Sequence, residues 1–191
     1  MTGPRPTILE QPNIPPPLHG LNPRSLMGPE AWDRMRREVY RSNGHCCVAC
    51  GTHAGDAIIR PGIEAHEDFE IDYAARRMTL RGMVPLCHAC HSFVHGGLLE
   101  VNLMSRKVSR EQVATILGHG IGILSQCNGT IPPAAAKLCR QLQLSHDLPV
   151  SRHPRNIPWE GWTMVWNCTT YRSRYPTRGS WERAMKNRSR M

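Results

Sequence analysis

Residues 85–95, with the sequence PLCHACHSFVH, bring together two cysteines and three histidines. Cys87 and Cys90 are spaced as C-x2-C, and a second pair with the same spacing, Cys47 and Cys50, lies upstream. Such pairs form tight knuckles whose sulfur atoms converge, and two knuckles together make the closed four-thiolate site typical of zinc. The four cysteines therefore predict one structural Zn²⁺.

The adjacent Cys46 could replace Cys47 as a ligand, but the C-x2-C spacing and the following Gly51 favour Cys47. The other three cysteines are scattered singly along the chain and are typical of small core residues. Disulfide bonds are not expected, because the sequence has no export signal and a reducing cytosol keeps thiols free.

His91 and His95 follow the second cysteine pair and are four residues apart. On a helix that begins near Cys90 or His91, residues at this separation project from the same face, close enough to hold one ion between neutral imidazoles. The spacing therefore predicts a second metal site, separate from the four cysteines.

Charge and hydropathy restrict the class of protein. The chain has 191 residues and a net charge of +9, of which +7 lies in residues 151–191, where nine Arg or Lys residues accompany two Glu. A basic flank of this kind attracts polyanions, and nucleic acid is the commonest. No apolar run is long enough to cross a bilayer, and the N-terminus lacks an apolar leader. On charge alone, a nucleic-acid contact and a solvated basic tail that keeps the protein soluble are equally favoured. We expect a cytoplasmic protein without membrane contact.

Turn residues and apolar periodicity divide the chain into four segments. Residues 1–28 are expected to be a proline-rich extended arm rather than core, and a candidate contact for a protein partner. Residues 29–98 carry the Cys/His cluster, residues 99–150 form a helical extension, and residues 151–191 form a basic segment with a hairpin and a short helix.

Local signals place the elements within these segments. A helix is predicted from Pro29 to a stop at Asn43-Gly44, and Ser109 and Gln112 have the spacing of a capping box that opens another. The other predicted elements are strands at 63–72 and 77–84, a helix at 132–144, a hairpin turning at Asn167-Cys168 and a helix at 180–186.

Three stretches in this order, CVACG, EAHEDFEIDY and VPLCHACHSFVHGG, resemble the HNH endonucleases of bacteria, phages and mobile elements. The resemblance covers residues 18–98. It implies an α+β protein with a ββα-metal (His-Me finger) core, in which a hairpin bearing His66 precedes the helix bearing His91 and His95. The four-cysteine zinc site would staple this core, and flanking helices and the C-terminal hairpin and helix would lie outside it.

This resemblance implies a metal-dependent hydrolase that cuts or nicks the phosphodiester bonds of DNA. It makes His66 the general base that removes a proton from the attacking water. It assigns His91 and His95 to a catalytic divalent ion such as Mg²⁺, Mn²⁺, Ni²⁺ or Zn²⁺. The arginines on or near the hairpin are either phosphate clamps or ordinary solvated side chains: Arg76, Arg77 and Arg81.

The sequence departs from the common family pattern at two positions beside this site. Ala65 stands where many members carry a metal-binding acidic residue or histidine, and Gly82 stands where many carry asparagine. One possibility is that Glu64 or Glu67 supplies the missing oxygen ligand to the metal. The other is a shifted register, in which His66 binds the metal and Glu67 acts as the base. We favour His66 as the base. The alternative function is a degenerate HNH module that binds DNA or a partner protein, within a phage or mobile-element assembly, without cutting.

Overall fold

The structure is a computed structural model that describes residues 3–154 and 156–188. Its strands are β1 (Ile63–Asp72), β2 (Arg77–Cys87), β3 (Thr163–Trp166) and β4 (Thr169–Arg172). They form one four-stranded sheet in the order β1-β2-β3-β4. The α-helices are α1 (Pro23–Met27), α2 (Pro29–Ser42), α3 (His88–Val94), α4 (Gly96–Met104), α5 (Arg110–Gln126), α6 (Pro133–Leu142) and α7 (Arg178–Arg188). The predicted α+β class is confirmed.

The chain forms two compact units, each assembled from separate stretches. The first unit contains Met1–Pro12, Arg36–His66 and Met83–His153. The second unit contains Asn13–Met35, Glu67–Gly82 and Pro154–Met191. These stretches cross the boundaries of the four segments expected from sequence, because α2, β1 and β2 each contribute residues to both units.

The N-terminal stretch differs from the extended arm expected from its prolines. It contains the short 3₁₀ helices Pro6–Glu10 and Pro16–Leu18. Proline fixes φ and begins such helices without losing a hydrogen bond, so a proline-rich segment can still place its apolar residues inward. Four of these residues are buried: Ile8 and Leu9 in the first unit, and Leu18 and Leu21 in the second. The prediction that this stretch lies outside the core was wrong.

The elements that carry the Cys/His cluster follow one another closely. Residues 73–76 join β1 to β2, a connection too short for a parallel crossover, so the two strands form an antiparallel hairpin. β2 ends at Cys87, and α3 begins at the next residue, His88. The predicted strand–strand–helix order over these residues is confirmed.

The helix α4 was not predicted, because Gly96 and Gly97 are poor helix formers. Gly96 begins α4, and a β-carbon there would lie 3.1 Å from the β-carbon of Ala134 in α6. The glycine therefore permits the close approach of α4 to α6.

Three helices carry the end signals read from the sequence. α2 begins at Pro29 and ends before Gly44, which has a φ of +59°. α5 has the predicted capping box: Ser109 Oγ accepts from the Gln112 amide at 3.1 Å, and Gln112 Oε1 accepts from the Ser109 amide at 2.9 Å. α6 begins with proline, as predicted, although at Pro133 rather than at residue 132.

The second unit confirms the predicted C-terminal hairpin. β3 and β4 pair antiparallel, and the two residues between them, Asn167 and Cys168, both have positive φ, as a tight two-residue turn requires. The parallel pairing of β3 with β2, which matches Thr163 to Arg77, was not predicted. Trp162 is fully buried in this unit's core beside Met78 and other apolar side chains.

Among residues 3–154 and 156–188, we find no helix that combines the length and apolar character needed to cross a membrane.

Packing of α3 against α5 yields a stability prediction. Gly120 of α5 faces Phe93 of α3, and a β-carbon at Gly120 would lie well inside 3.0 Å of the buried ring. Gly120→Ala should lower the free energy of unfolding by about 1–3 kcal/mol, because overpacking displaces the ring. The measurement is urea unfolding of zinc-saturated protein.

Gly118→Ala and Gly122→Ala are matched controls on the same helix, because their β-carbons would meet open space. Each should instead stabilise the protein by about 0.5–1 kcal/mol, since alanine loses less backbone entropy in a helix. Equal effects at Gly118 and Gly120 would contradict this account of the contact.

Candidate metal centres

The four predicted cysteines form one cluster. Cys47, Cys50, Cys87 and Cys90 place their sulfur atoms within 4.8 Å of one another. Two backbone bonds shape the first knuckle: the Gly51 amide donates to the Cys47 carbonyl at 2.8 Å, and the Val48 amide donates to the Pro85 carbonyl of β2 at 2.9 Å. Cys46 lies outside the cluster, as the spacing predicted. The four cysteines are therefore positioned to hold a metal ion, and the set is compatible with structural zinc.

Four thiols at this separation cannot ionise independently. Hydrogen bonds with Cys47, Cys87 and Cys90 lower the pKa of the Cys50 thiol. Hydrogen bonds with Cys47, Cys50 and Cys87, and then burial, raise the pKa of the Cys90 thiol. The pKa of the Cys47 thiol is also lowered, whereas that of Cys87 is raised, so the four sulfur atoms do not ionise alike. A bound divalent ion would offset the charge of four thiolates, which is why this donor set fits Zn²⁺.

A histidine outside both predicted metal sites contacts the cysteine cluster. His119 of α5 places Nε2 3.5 Å from Cys90 Sγ. It directly precedes Gly120, which faces Phe93 of α3. No local pattern indicates this contact, because it depends on the packing of α5 against α3.

Three histidines form a second cluster in the first unit. His66 of β1, His91 of α3 and His95 at the end of α3 each offer a ring nitrogen, and these atoms lie within 4.8 Å of one another. Ring centroids are 5.4 Å apart for His66 and His91, 5.0 Å for His66 and His95, and 4.6 Å for His91 and His95. The three residues selected from the sequence therefore lie together.

Burial keeps two of these rings, His66 and His95, neutral. Desolvation, and then repulsion from His95 and His91, lowers the pKa of His66 well below its ordinary value. Burial and repulsion from His91 lower the pKa of His95 to about 4, against an opposing contribution from Glu64. Both rings are uncharged at pH 7, which leaves lone pairs that a metal or a proton can use.

His66 uses its two ring nitrogens differently. Its Nε2 lies 3.0 Å from the carboxamide nitrogen of Gln11, and the contact is buried. Its Nδ1 is buried with no hydrogen-bond partner among the described residues. A buried polar atom without a partner is costly, so its presence in a histidine cluster fits a site that binds a cation or accepts a proton. Sequence reasoning missed Gln11, because it assigned residues 1–28 to an arm.

Glu64 lies outside the three-histidine cluster and supports it. Its Oε2 lies 2.8 Å from His91 Nδ1, and its Oε1 lies 2.7 Å from His88 Nδ1 and 2.6 Å from an Arg60 nitrogen. The His91 hydrogen bond, together with those of His88 and Arg60, lowers the pKa of Glu64 against the effect of burial. The ionised carboxylate holds the proton of His91 on Nδ1 and leaves Nε2 free, which is the common carboxylate–histidine arrangement around metals.

The arginines considered as phosphate clamps have partners within the second unit. Arg76 donates to the Glu160 carbonyl at 3.1 Å, and Arg81 pairs with Glu70. Arg77 lies 3.9 Å from Asp72. These contacts favour a structural role for all three side chains. Arg60, which the sequence did not single out, is the arginine bound to Glu64 beside the histidines.

Comparison with known protein families, with curated proteins and with solved structures finds no match to this chain. The function is therefore argued from the site itself.

The four-cysteine cluster predicts a tightly held metal. Purified protein should contain at least one equivalent of tightly held zinc, and Cys87→Ser should lose the ion of this cluster and unfold the first unit, because binding of the ion by four thiolates supplies folding free energy. Metal analysis and circular dichroism are the measurements.

Cys139→Ala is the matched control, because Cys139 is equally buried and lies outside the cluster. It should keep the zinc, at a modest cost in stability. A folded, zinc-free wild-type protein would rule out the structural role.

Proposed function

We propose that this protein is a metal-dependent endonuclease of the HNH type, which hydrolyses phosphodiester bonds in DNA. The observation that carries the proposal is the buried three-histidine cluster, built from a hairpin strand and the helix that follows it, next in sequence to a four-cysteine cluster. A purely structural protein has no need of a second set of neutral metal ligands. The ββα-metal core is part of the proposal.

His91 and His95 would hold the divalent ion. Glu64 fixes the ring of His91, and the depressed pKa of His95 keeps its lone pair available. When bound, the ion would supply positive charge against the phosphate and the leaving oxygen. Imidazole donors suit Zn²⁺, Ni²⁺ or Mn²⁺ better than Mg²⁺, which prefers oxygen ligands.

His66 would act as the general base. Its ring is neutral at pH 7, and Nδ1 is the nitrogen that remains open to accept a proton from water. The alternative is that His66 is a third ligand and Glu67 is the base. Consecutive residues of a strand project to opposite faces. The side chain of Glu67 therefore projects from the opposite face of β1 to that of His66. This placement favours His66 as the base.

DNA affinity would come from the basic C-terminal segment. Several of its cations are exposed, including Arg172, Arg174, Arg183 and Lys186. Arg155 and Arg190 lie outside the described residues. Such cations bind phosphates without reading sequence, so the segment would supply affinity rather than specificity.

A second candidate function is DNA or partner binding without cleavage. Ala65 and Gly82 favour it, because both depart from the HNH pattern beside the site. The nicking experiment below separates the two functions.

Supercoiled plasmid tests the catalytic proposal. Zinc-loaded protein, supplied in turn with Mg²⁺, Mn²⁺, Ni²⁺ or Zn²⁺, should nick the plasmid with at least one ion. His66→Ala should reduce the rate by about 10²–10⁴, since a general base contributes that much, with DNA binding retained. His95→Ala should weaken activity in a way that excess metal partly restores.

The control is His45→Asn, because His45 is exposed and has a positive φ that asparagine tolerates. It should nick like the wild type. If metal rescues His66→Ala and Glu67→Gln is inactive, His66 is a ligand and Glu67 is the base. If the wild type nicks with none of the four ions, the non-cutting function replaces the nuclease.

Salt dependence tests the proposed DNA contact. Replacing Arg172, Arg174, Arg183 and Lys186 together with glutamine should weaken DNA binding. The plot of log binding constant against log salt concentration should become less steep by up to about 3.6, since each lost phosphate contact removes about 0.9 from the magnitude of the slope. The control replaces four exposed cations elsewhere with glutamine: Arg106, Lys107, Arg110 and Arg140. Equal slopes for the two variants would show that the C-terminal segment has no special part in binding DNA.

A further inference from the structure

The segment before residue 12 is anchored in the first unit at two places. The Arg5 amide donates to the Val48 carbonyl of the cysteine knuckle at 2.6 Å. Glu10 Oε1 accepts from the Thr130 amide at 2.7 Å. Between these anchors, Ile8 and Leu9 are buried in the same core as α3 and α5. The residue that follows, Gln11, is therefore held in a defined place.

Gln11 delivers its side chain to His66 from 55 residues away in sequence. Its carboxamide lies 3.0 Å from His66 Nε2, and Gln11 and His66 are only 7% and 1% exposed. A buried carboxamide against one nitrogen of a buried imidazole decides which nitrogen carries the proton, because the ring has one donor and one acceptor when neutral.

The two orientations of the carboxamide, related by a half-turn, have different consequences. If its nitrogen donates to His66 Nε2, the ring proton sits on Nδ1, where no described residue accepts it. A buried donor without an acceptor costs about 1–3 kcal/mol. If its oxygen accepts from Nε2–H, Nδ1 keeps its lone pair. Because the His66 ring belongs to the cluster with His91 and His95, a proton or a cation there can use this otherwise unpartnered nitrogen.

We propose that Gln11 is a positioning residue of the histidine site: its carboxamide oxygen accepts from His66 Nε2–H and so makes Nδ1 the working nitrogen. The N-terminal segment is then a structural part of the site. The inference rests on the proposed function in treating His66 as a working residue, and it holds whether Nδ1 accepts a proton or binds a metal.

The tautomer of His66 is the direct test. Long-range ¹H–¹⁵N correlation spectra of the zinc-loaded, full-length protein, assigned by comparison with His66→Gln, should show Nε2 protonated and Nδ1 unprotonated. A merely structural contact does not fix this signature. A wild-type spectrum with the proton on Nδ1 would by itself overturn the proposal.

Substitution of Gln11 provides the second test. Gln11→Leu fills the same space without a hydrogen bond, so its spectrum should lose the single Nε2-protonated form and show His66 Nδ1 protonated in a substantial fraction of the molecules. Gln11→Glu should keep the Nε2-protonated form, because a carboxylate can only accept from Nε2–H. Glu10→Gln is the control, since its side-chain oxygen can still accept from Thr130, and it should change nothing.

The outcomes distinguish this inference from the proposed function. An unchanged, fully Nε2-protonated His66 in Gln11→Leu, with zinc content and thermal stability retained, would overturn the inference even if the wild type nicks DNA. The expected wild-type tautomer and its loss in Gln11→Leu, in a protein that nicks nothing, would support the inference and remove the nuclease. If Gln11→Leu fails to fold, the wild-type spectrum and Gln11→Glu decide.

Discussion

The convergence of four sulfur atoms is the constraint on which the first unit depends. It joins the knuckle at residues 47–50 to the junction between β2 and α3, two stretches that are distant in sequence. Closing a loop of this length costs conformational entropy, which a metal bound by four thiolates can offset. Because β2 ends at Cys87 and α3 begins at His88, the same junction sets where His91 and His95 lie relative to β1. A one-residue slip of β1 would carry His66 to the opposite face of the hairpin. The positions of the three histidines therefore depend on the junction that the cysteine cluster holds in place.

The two clusters differ in the charge of their ligand atoms. The cysteines provide excess negative charge, which suits a closed site whose ion is fully neutralised. The histidines provide none, since burial keeps His66 and His95 uncharged, and Glu64 contributes one negative charge through His91. An ion held by neutral imidazoles keeps most of its positive charge, and such a site attracts an anionic group such as phosphate.

Sequence patterns predicted what is local and missed what is not. The knuckle spacing, the His91/His95 spacing, the capping box at Ser109 and the turn at Asn167-Cys168 are set by neighbours along the chain, and the structure contains each of them. The partners that support the site are remote in sequence: Gln11 for His66, Glu64 for His91 and His88, and His119 for Cys90. No periodicity encodes such pairs, since each depends on how whole elements pack. The burial of Ile8 and Leu9 was missed for the same reason. Proline content predicts the local backbone conformation, but it does not predict which elements pack against the side chains.

The contact with Gln11 also makes the two possible roles of His66 exclusive. With Nε2 occupied, the ring has one nitrogen left, and Nδ1 can accept a proton or bind a metal but cannot do both at once. If Nδ1 accepts the proton, the protein gives the ion two nitrogen ligands and leaves most positions for water and phosphate oxygens, which suits octahedral ions such as Mn²⁺ or Ni²⁺. If Nδ1 binds the metal, three nitrogens and one open position suit tetrahedral Zn²⁺. Under the proposed function, the identity of the metal and the role of His66 are therefore one question. Ala65 would stand at a ligand position of the HNH pattern only if His66 is the base.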